Sequence, residues 1–263
     1  MPFHECAAQG LLCMTAPNIS VPHAFTTRYG GVSSGVYESL NLGLSCGDDP
    51  VNVWQNYTRV CSYLEITDKD IVRAKQVHGS EVRVVSRCDC KGSGLHPAFE
   101  ADGLLTSESN LALVVLVADC VPIMLHDPRR GVIGIVHAGW RGTAAGIVKN
   151  AISGMAVHFG CSPAGIKAAI GPCISKCCFE TDSDVYDGLY SILGNETRHC
   201  ASFKENKYHI DLKEANRLLL LGCGLTDIAV SYECTSCCKE KYWSHRRDNI
   251  RRGSQAAFIM QKP

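Results

Sequence analysis

Alternation of apolar and polar residues predicts short half-buried strands around Val72 to Val77 and Val82 to Val85. The run "LALVVLV", Leu111 to Val117, is apolar and β-branched throughout and predicts a strand covered on both faces. "VPIMLHD" and "GVIGIVH" follow it across the short "PRRG" turn and extend the same sheet core. Helical spacing takes over at Val53, Trp54, Tyr57, Val60, Cys61 and Leu64, and again at Ile147, Val148, Ala151, Ile152 and Met155, where Gly160 stops it. A further helix starts at Asp211 as N-cap and runs through Leu212, Ala215, Leu218 and Leu219 to the Gly222 and Gly224 region.

Strands and helices interleave along the whole chain, and no repeat or Pro/Ser-rich linker divides it. The pattern predicts an α/β fold with a mixed sheet, as a single domain over residues 1–263. "CDCKGSGLHP", Cys88 to Pro97, reads as a flexible loop.

Composition narrows the function classes. An apolar fraction of 46% in 263 residues builds a substantial core, and a formal net charge of zero gives no reason to expect a nucleic acid or an anionic membrane as partner. The N-terminal stretch lacks the cationic start and apolar run of a secretory signal, and the longest apolar run is broken by Asp119. Most of the sixteen cysteines lie inside apolar or helical patterns, as at Cys61, Cys161 and Cys223, where a thiol serves as a small hydrophobe. A cytoplasmic protein with free thiols is the expectation.

The candidate chemistry sits at strand ends. "KQVHGSEV" carries His78, "VADCVPIM" carries Cys120, and "IVHAGWRG" carries His137. Zinc accepts imidazole and thiolate together, and three protein ligands with one open position is the arrangement of a catalytic site. The separations of 42 and 17 residues match no zinc-finger spacing, so the context must carry the argument. Gly139 and Arg141 follow His137, supplying close backbone approach and a fixed cation suited to phosphate. Arg28, among the glycines of "TTRYGG", is a second candidate for an anion. Asp119 is expected to orient a ligand, and Trp140 is set for packing or for stacking on a base.

In order along the chain, "TTRYGGVSSGVYESLNLG", "KQVHG", "ADGLLT", "ADCVPIML", "VHAGWRGT", "AIGPCISKCCFE", "HIDL" and "CTSCCKEKYWSHRRD" resemble the laccase-domain family, from about Phe25 to Ile259. Members of that family are also called multicopper polyphenol oxidases or purine nucleoside phosphorylases. The resemblance implies a mixed β-sandwich flanked by helices and a catalytic zinc held by His78, Cys120 and His137, with copper as the other metal such a triad could take. It implies phosphorolysis of adenosine, inosine, guanosine and methylthioadenosine with inorganic phosphate, and deamination of adenosine to inosine. Arg28 and Arg141 are then the expected phosphate cations, with Arg246 or Arg247 in reserve, and Glu180, which ends "CCFE", is a proton carrier or base-edge partner. Three other readings stand beside this one: a copper-dependent polyphenol oxidase, a cysteine hydrolase with Cys120 as nucleophile, and a non-enzymatic metal-binding module. The extra cysteines of "CISKCC", Cys173 to Cys178, and "CTSCC", Cys234 to Cys238, resemble two halves of a four-thiolate metal site.

Overall fold

Alternate residues of the central strands feed two different cores, as the pleat of a strand requires. Leu113 and Val115 enter one core while Val114 enters another, and Met124 points away from Ile123 and Leu125. This computed structural model describes residues 2–90, 97 and 99–262. The first six-stranded sheet runs, in spatial order, His4–Ala8, Leu11–Thr15, His23–Thr26, Gln255–Gln261, Leu111–Val117 and Ile71–Arg73. The second runs Asp227–Val230, Lys167–Ile170, Val121–Asp127, Val132–Ala138, Gly103–Thr106 and Val82–Val84. Both sheets mix parallel and antiparallel pairs.

The two sheets face each other over Phe25, Leu113, Met124, Ile135 and Ile259, which makes the sandwich. The helix Pro50–Leu64 covers the outer face of the first sheet through Val53, Tyr57 and Val60. The helices Ile147–Phe159 and Leu212–Gly222 cover the second through Val148, Met155, Ala215 and Leu219. A small third sheet, Glu180–Thr181, Lys207–Ile210 and Ala201–Lys204, lies beside the helix Ser183–Leu193. No helix among the described residues is long and apolar enough to cross a membrane.

The expected strand from Val72 to Val77 ends early, at Arg73. Gln76 replaces the backbone ladder: its amide donates to the Leu116 carbonyl at 2.7 Å and its carbonyl accepts from the Leu116 N–H at 2.7 Å. The chain is then free to turn away from the sheet as the loop that carries His78. Of the expected loop from Cys88 to Pro97, residues 91–96 lie outside the described residues; its start, Arg87–Asp89, is a 3-10 turn.

Candidate active site

Asp102 builds the site. It is 1% exposed, just before the strand Gly103–Thr106, and its carboxylate gathers four donors. Oδ2 accepts the amides of Val77 at 3.1 Å and Gly79 at 2.7 Å, and Oδ1 accepts the His78 amide at 3.1 Å. Oδ1 also receives His137 Nδ1 at 2.8 Å, and the Asp102 carbonyl accepts the His137 amide at 2.7 Å. One buried carboxylate therefore fixes both the loop bearing His78 and the ring of His137. The loop is held in a left-handed conformation at His78, φ 58°, a region most side chains avoid.

Cys120 immediately precedes the strand Val121–Asp127, beside the strand Val132–Ala138 that carries His137; Pro122 is paired with His137. The ligand atoms of His78, Cys120 and His137 all lie within 4.8 Å of one another. Gly139 leaves the room between them, because a Cβ there would stand 2.9 Å from His78 Nδ1 and 3.2 Å from Cys120 Sγ. Gly142 lets the short helix Trp140–Ala144 close onto the His78 loop, since its Cβ would meet the Gly79 carbonyl at 2.6 Å. The glycines of "HAGWRG" are thus explained by approach distances, and the donor set of two imidazoles and one thiol around an uncrowded centre fits a zinc ion.

Charge follows the geometry. Burial works against an anion at Cys120, but the His137 and His78 rings outweigh it and bring the thiol down from 9.0 to about 6. Burial also works against a cation at His137, but the Cys120 sulfur and Asp102 raise it from 6.5 to about 9. Asp102, despite its burial, is held below the ordinary carboxylate range by His137 and the Gly79 and Val77 amides.

Without metal, the pair is thiolate and imidazolium between about pH 6 and 9. Zinc must then displace one proton, from His137, so metal affinity is expected to rise about tenfold per pH unit from 7 to 9 and to level off above, measured by competition with a chromophoric chelator. Folding stability should respond little to this pair. The depressed thiol favours the folded chain increasingly from pH 6 to 9.0, the raised imidazole favours it decreasingly from 6.5 to 9, and the slopes cancel.

Two cavities meet at the triad. One, of about 640 Å³, combines Trp140, Ile174, Phe179 and Leu212 with the cations Arg141, Arg246 and Arg252. The other, of about 580 Å³, reaches Arg73, Lys75 and Arg252. Both volumes fall within the range of small-molecule sites.

The remaining predicted residues divide. Arg141 lines the larger cavity, with its guanidinium carbon 4.3 Å from the centre of the Trp140 ring. Arg28 lines neither cavity: its guanidinium donates to the carbonyls of Glu38 at 2.8 Å and Lys239 at 3.1 Å. The glycines after Arg28 serve close backbone packing, since a Cβ on Gly30 would overlap the Gly10 carbonyl and one on Gly31 the Ser39 carbonyl. Glu180 lies on the small outer sheet with an exposed side chain whose carboxylate has no partner among the described residues, and its carbonyl accepts from Arg246 at 2.9 Å. Arg247 is paired with Asp248 and with the Thr235, Ser236 and Tyr242 carbonyls.

Asp119 does not orient a ligand. Its carboxylate accepts from Thr235 Oγ1 at 2.6 Å, Ser244 Oγ at 2.9 Å and the Arg246 amide at 2.7 Å, fastening the C-terminal segment to the sheet end. The orienting role belongs to Asp102, and Arg252 joins the cations; neither was singled out in the sequence, although "ADGLLT" contains the first and "HRRDNIRR" the second.

The profile of the multi-copper polyphenol oxidoreductase laccase family matches residues 22–262. A protein of Geobacillus stearothermophilus named purine nucleoside phosphorylase YlmD is 38% identical over 98% of this chain and 96% of its own length. A purine nucleoside phosphorylase of Deinococcus radiodurans is 39% identical over 96% of this chain and 94% of its own. The crystal structure of the Geobacillus stearothermophilus YlmD superposes with a TM-score of 0.91 at 37% identity, covering 99% of both chains. That of the Bacillus licheniformis hypothetical protein YfiH gives 0.92 at 37% identity and the same coverage.

Proposed function

We propose that this chain, which belongs to the multi-copper polyphenol oxidoreductase laccase family, works as a zinc-dependent purine nucleoside phosphorylase and adenosine deaminase. Its substrates are adenosine, inosine, guanosine and methylthioadenosine together with inorganic phosphate, and its single domain spans residues 1–263. The sixteen free thiols are consistent with work in a reducing cytoplasm. The observation that carries the reading is the convergence of the His78, Cys120 and His137 donors at the edge of a cavity in which His78 and Cys120 face apolar walls and three arginines.

Zinc at the triad supplies a Lewis acid that makes water nucleophilic near neutral pH. The chain's own residues supply the rest. Trp140, Phe179, Ile174 and Leu212 give a purine apolar faces. Arg141, Arg246 and Arg252 give an anion its counter-charges, and the one carboxylate lining that cavity, Asp119, is already engaged by three donors. The phosphate role first assigned to Arg28 and Arg141 therefore passes to Arg141 with Arg246 and Arg252.

Arg141→Ala is expected to raise the apparent phosphate KM about tenfold or more, as loss of a charge-assisted contact implies, while inosine formation stays near wild type. Phosphate is the nucleophile only in phosphorolysis, so adenine and inosine formation from adenosine act as each other's control. Initial rates across a phosphate titration decide it, and equal loss of both products would place Arg141 on the nucleoside instead.

One observation favours a second reading. Asp102, His137 and Cys120 also have the order of carboxylate, imidazole and lowered-pKa thiol found in cysteine nucleophile sites. A cysteine hydrolase would keep its activity after metal removal and lose it to alkylation; the zinc enzyme would lose it to the chelator and recover on zinc addition.

A further inference from the structure

The two cysteine-rich turns meet on the far side of the cavity wall. The sulfurs of Cys177, Cys178, Cys234 and Cys237 all lie within 4.8 Å of one another. Cys177 to Cys178 is 3.7 Å, Cys177 to Cys237 is 3.6 Å, and Cys178 to Cys237 is 3.3 Å. Four sulfurs around one zinc at about 2.3 Å form a tetrahedron with edges of about 3.8 Å, and these three separations lie at or within about half an ångström below that length. Cys173 and Cys238, although part of the same sequence clusters, stand outside the group, and Cys173 Sγ turns to the Ile174 carbonyl at 3.2 Å.

The surroundings of Cys234 are those of a thiolate. The Ser175 amide donates to Cys234 Sγ at 3.3 Å, and the Ser236 and Cys237 amides face the same sulfur, as in the C-x-x-C turn of a metal knuckle. Lys213 reaches Ser175, the residue whose amide donates to Cys234 Sγ. It is 5% exposed and donates to Ser175 Oγ and to the Glu233 carbonyl, with no carboxylate in ion-pair range among the described residues. A buried ammonium without a carboxylate calls for an anion nearby, and a metal with four thiolates carries two negative charges.

We propose that Cys177, Cys178, Cys234 and Cys237 form a structural four-thiolate site for a divalent soft metal, zinc in a reducing compartment, separate from the His78, Cys120 and His137 centre. Binding releases the thiol protons to solvent and closes the tetrahedron, leaving no open position for substrate. The site ties the turn before Phe179 to the turn after Glu233. Arg246 donates to the Cys178 carbonyl at 3.0 Å, and Arg247 to the carbonyls of Thr235 and Ser236, both at 3.0 Å, so the clamp also sets the segments that carry Phe179 and Arg246 into the cavity.

The test counts metal and does not depend on the nucleoside reading. Purified under reductant, the Cys177→Ser/Cys237→Ser variant is expected to hold one zinc equivalent fewer than wild type, by elemental analysis of samples handled side by side. Cys238→Ser, outside the set, should keep the wild-type content, and Cys120→Ala should keep the equivalent bound by the four thiols. Should the double variant not fold, cobalt substitution of wild type and Cys120→Ala decides the matter: sulfur-to-cobalt charge transfer grows with the number of thiolates, so most of its intensity should survive in Cys120→Ala. Wild type with no more metal than the double variant would overturn the proposal. So would loss of most charge-transfer intensity in Cys120→Ala, or a disulfide among the four cysteines in protein kept under reductant.

Discussion

Cys120→Ala is expected to lower both adenine and inosine formation from adenosine by more than about a thousandfold, equivalent to about 4 kcal/mol of transition-state stabilisation. The substitution removes the only sulfur among the three donors, and with it one of the two anions, beside Asp102, that balance the His137 cation. It also removes a major source of the raised His137 pKa, so the imidazole reverts toward its ordinary 6.5. Cys120 sits at the mouth of its strand, half-buried, so the loss should cost the fold no more than about 1–2 kcal/mol. Thermal melting and far-UV circular dichroism provide that control. Activity is to be read with metal content. Both activities lost together with the triad's metal is the expected pattern, whereas both lost with that metal retained would favour Cys120 as the nucleophile. Deamination at the wild-type rate would remove the triad from that reaction altogether.

The strand ends were legible because hydrophobic patterning is strongest where a strand is buried on both faces. Leu111–Val117 and Val121–Asp127 appear at the bounds the pattern indicates, and Val132–Ala138 within one residue. His137 stands out in the sequence because Gly139 and Arg141 follow it, Cys120 because it follows Asp119 after the run Leu111–Val117, and His78 through the "KQVHG" motif of the resemblance. The error over Asp119 has a simple cause. Neighbourhood in sequence pairs Asp119 with Cys120, but both lie in the bend between Leu111–Val117 and Val121–Asp127, where the left-handed backbone at Asp119, φ 85°, sends the two side chains to different partners. Asp119 therefore reaches Thr235 and Ser244, while Cys120 meets the histidines. The partner of the histidines comes from Asp102, 24 residues after His78 and 35 before His137, a relation fixed by pairing of Gly103–Thr106 with the His137 strand. Arg28 failed in the other direction. Glycines beside an arginine suggest an anion nest, but Gly30 and Gly31 are small because other backbone segments lie against them. The strand Gln255–Gln261, central to the first sheet, also escaped the pattern, because its five apolar residues lie between glutamines and do not alternate with polar ones.

Asp102→Asn is expected to be the most damaging single-atom exchange in the chain, destabilising the fold by about 2–4 kcal/mol and weakening metal binding about 10- to 100-fold. The carboxylate faces only donors: three backbone amides and His137 Nδ1. An amide offers one acceptor oxygen and one NH2. If the oxygen stays toward His137, the NH2 confronts the amides of Val77 and Gly79, and two buried N–H groups lose their partner. If it is flipped, the Gly79 contact survives, but the NH2 faces the His78 amide and His137 Nδ1. The ring then accepts at Nδ1 and carries its proton on the other nitrogen, the one turned toward Cys120, where it blocks ligation. Either orientation sacrifices part of the site, so metal affinity and both activities should fall with stability. The pH dependence separates this from a generic cavity effect. Asp102 is held below its ordinary 3.8, so its contribution is fully present above that value and is lost as the pH falls through the folded-state pKa. The gap in denaturant stability between wild type and Asp102→Asn should therefore narrow on acidification below about 4, and, because Asp102 also raises the His137 pKa, narrow again as the pH rises from 6.5 toward 9. A gap unchanged down to the acid limit would mean that the carboxylate charge contributes nothing and that only shape is lost.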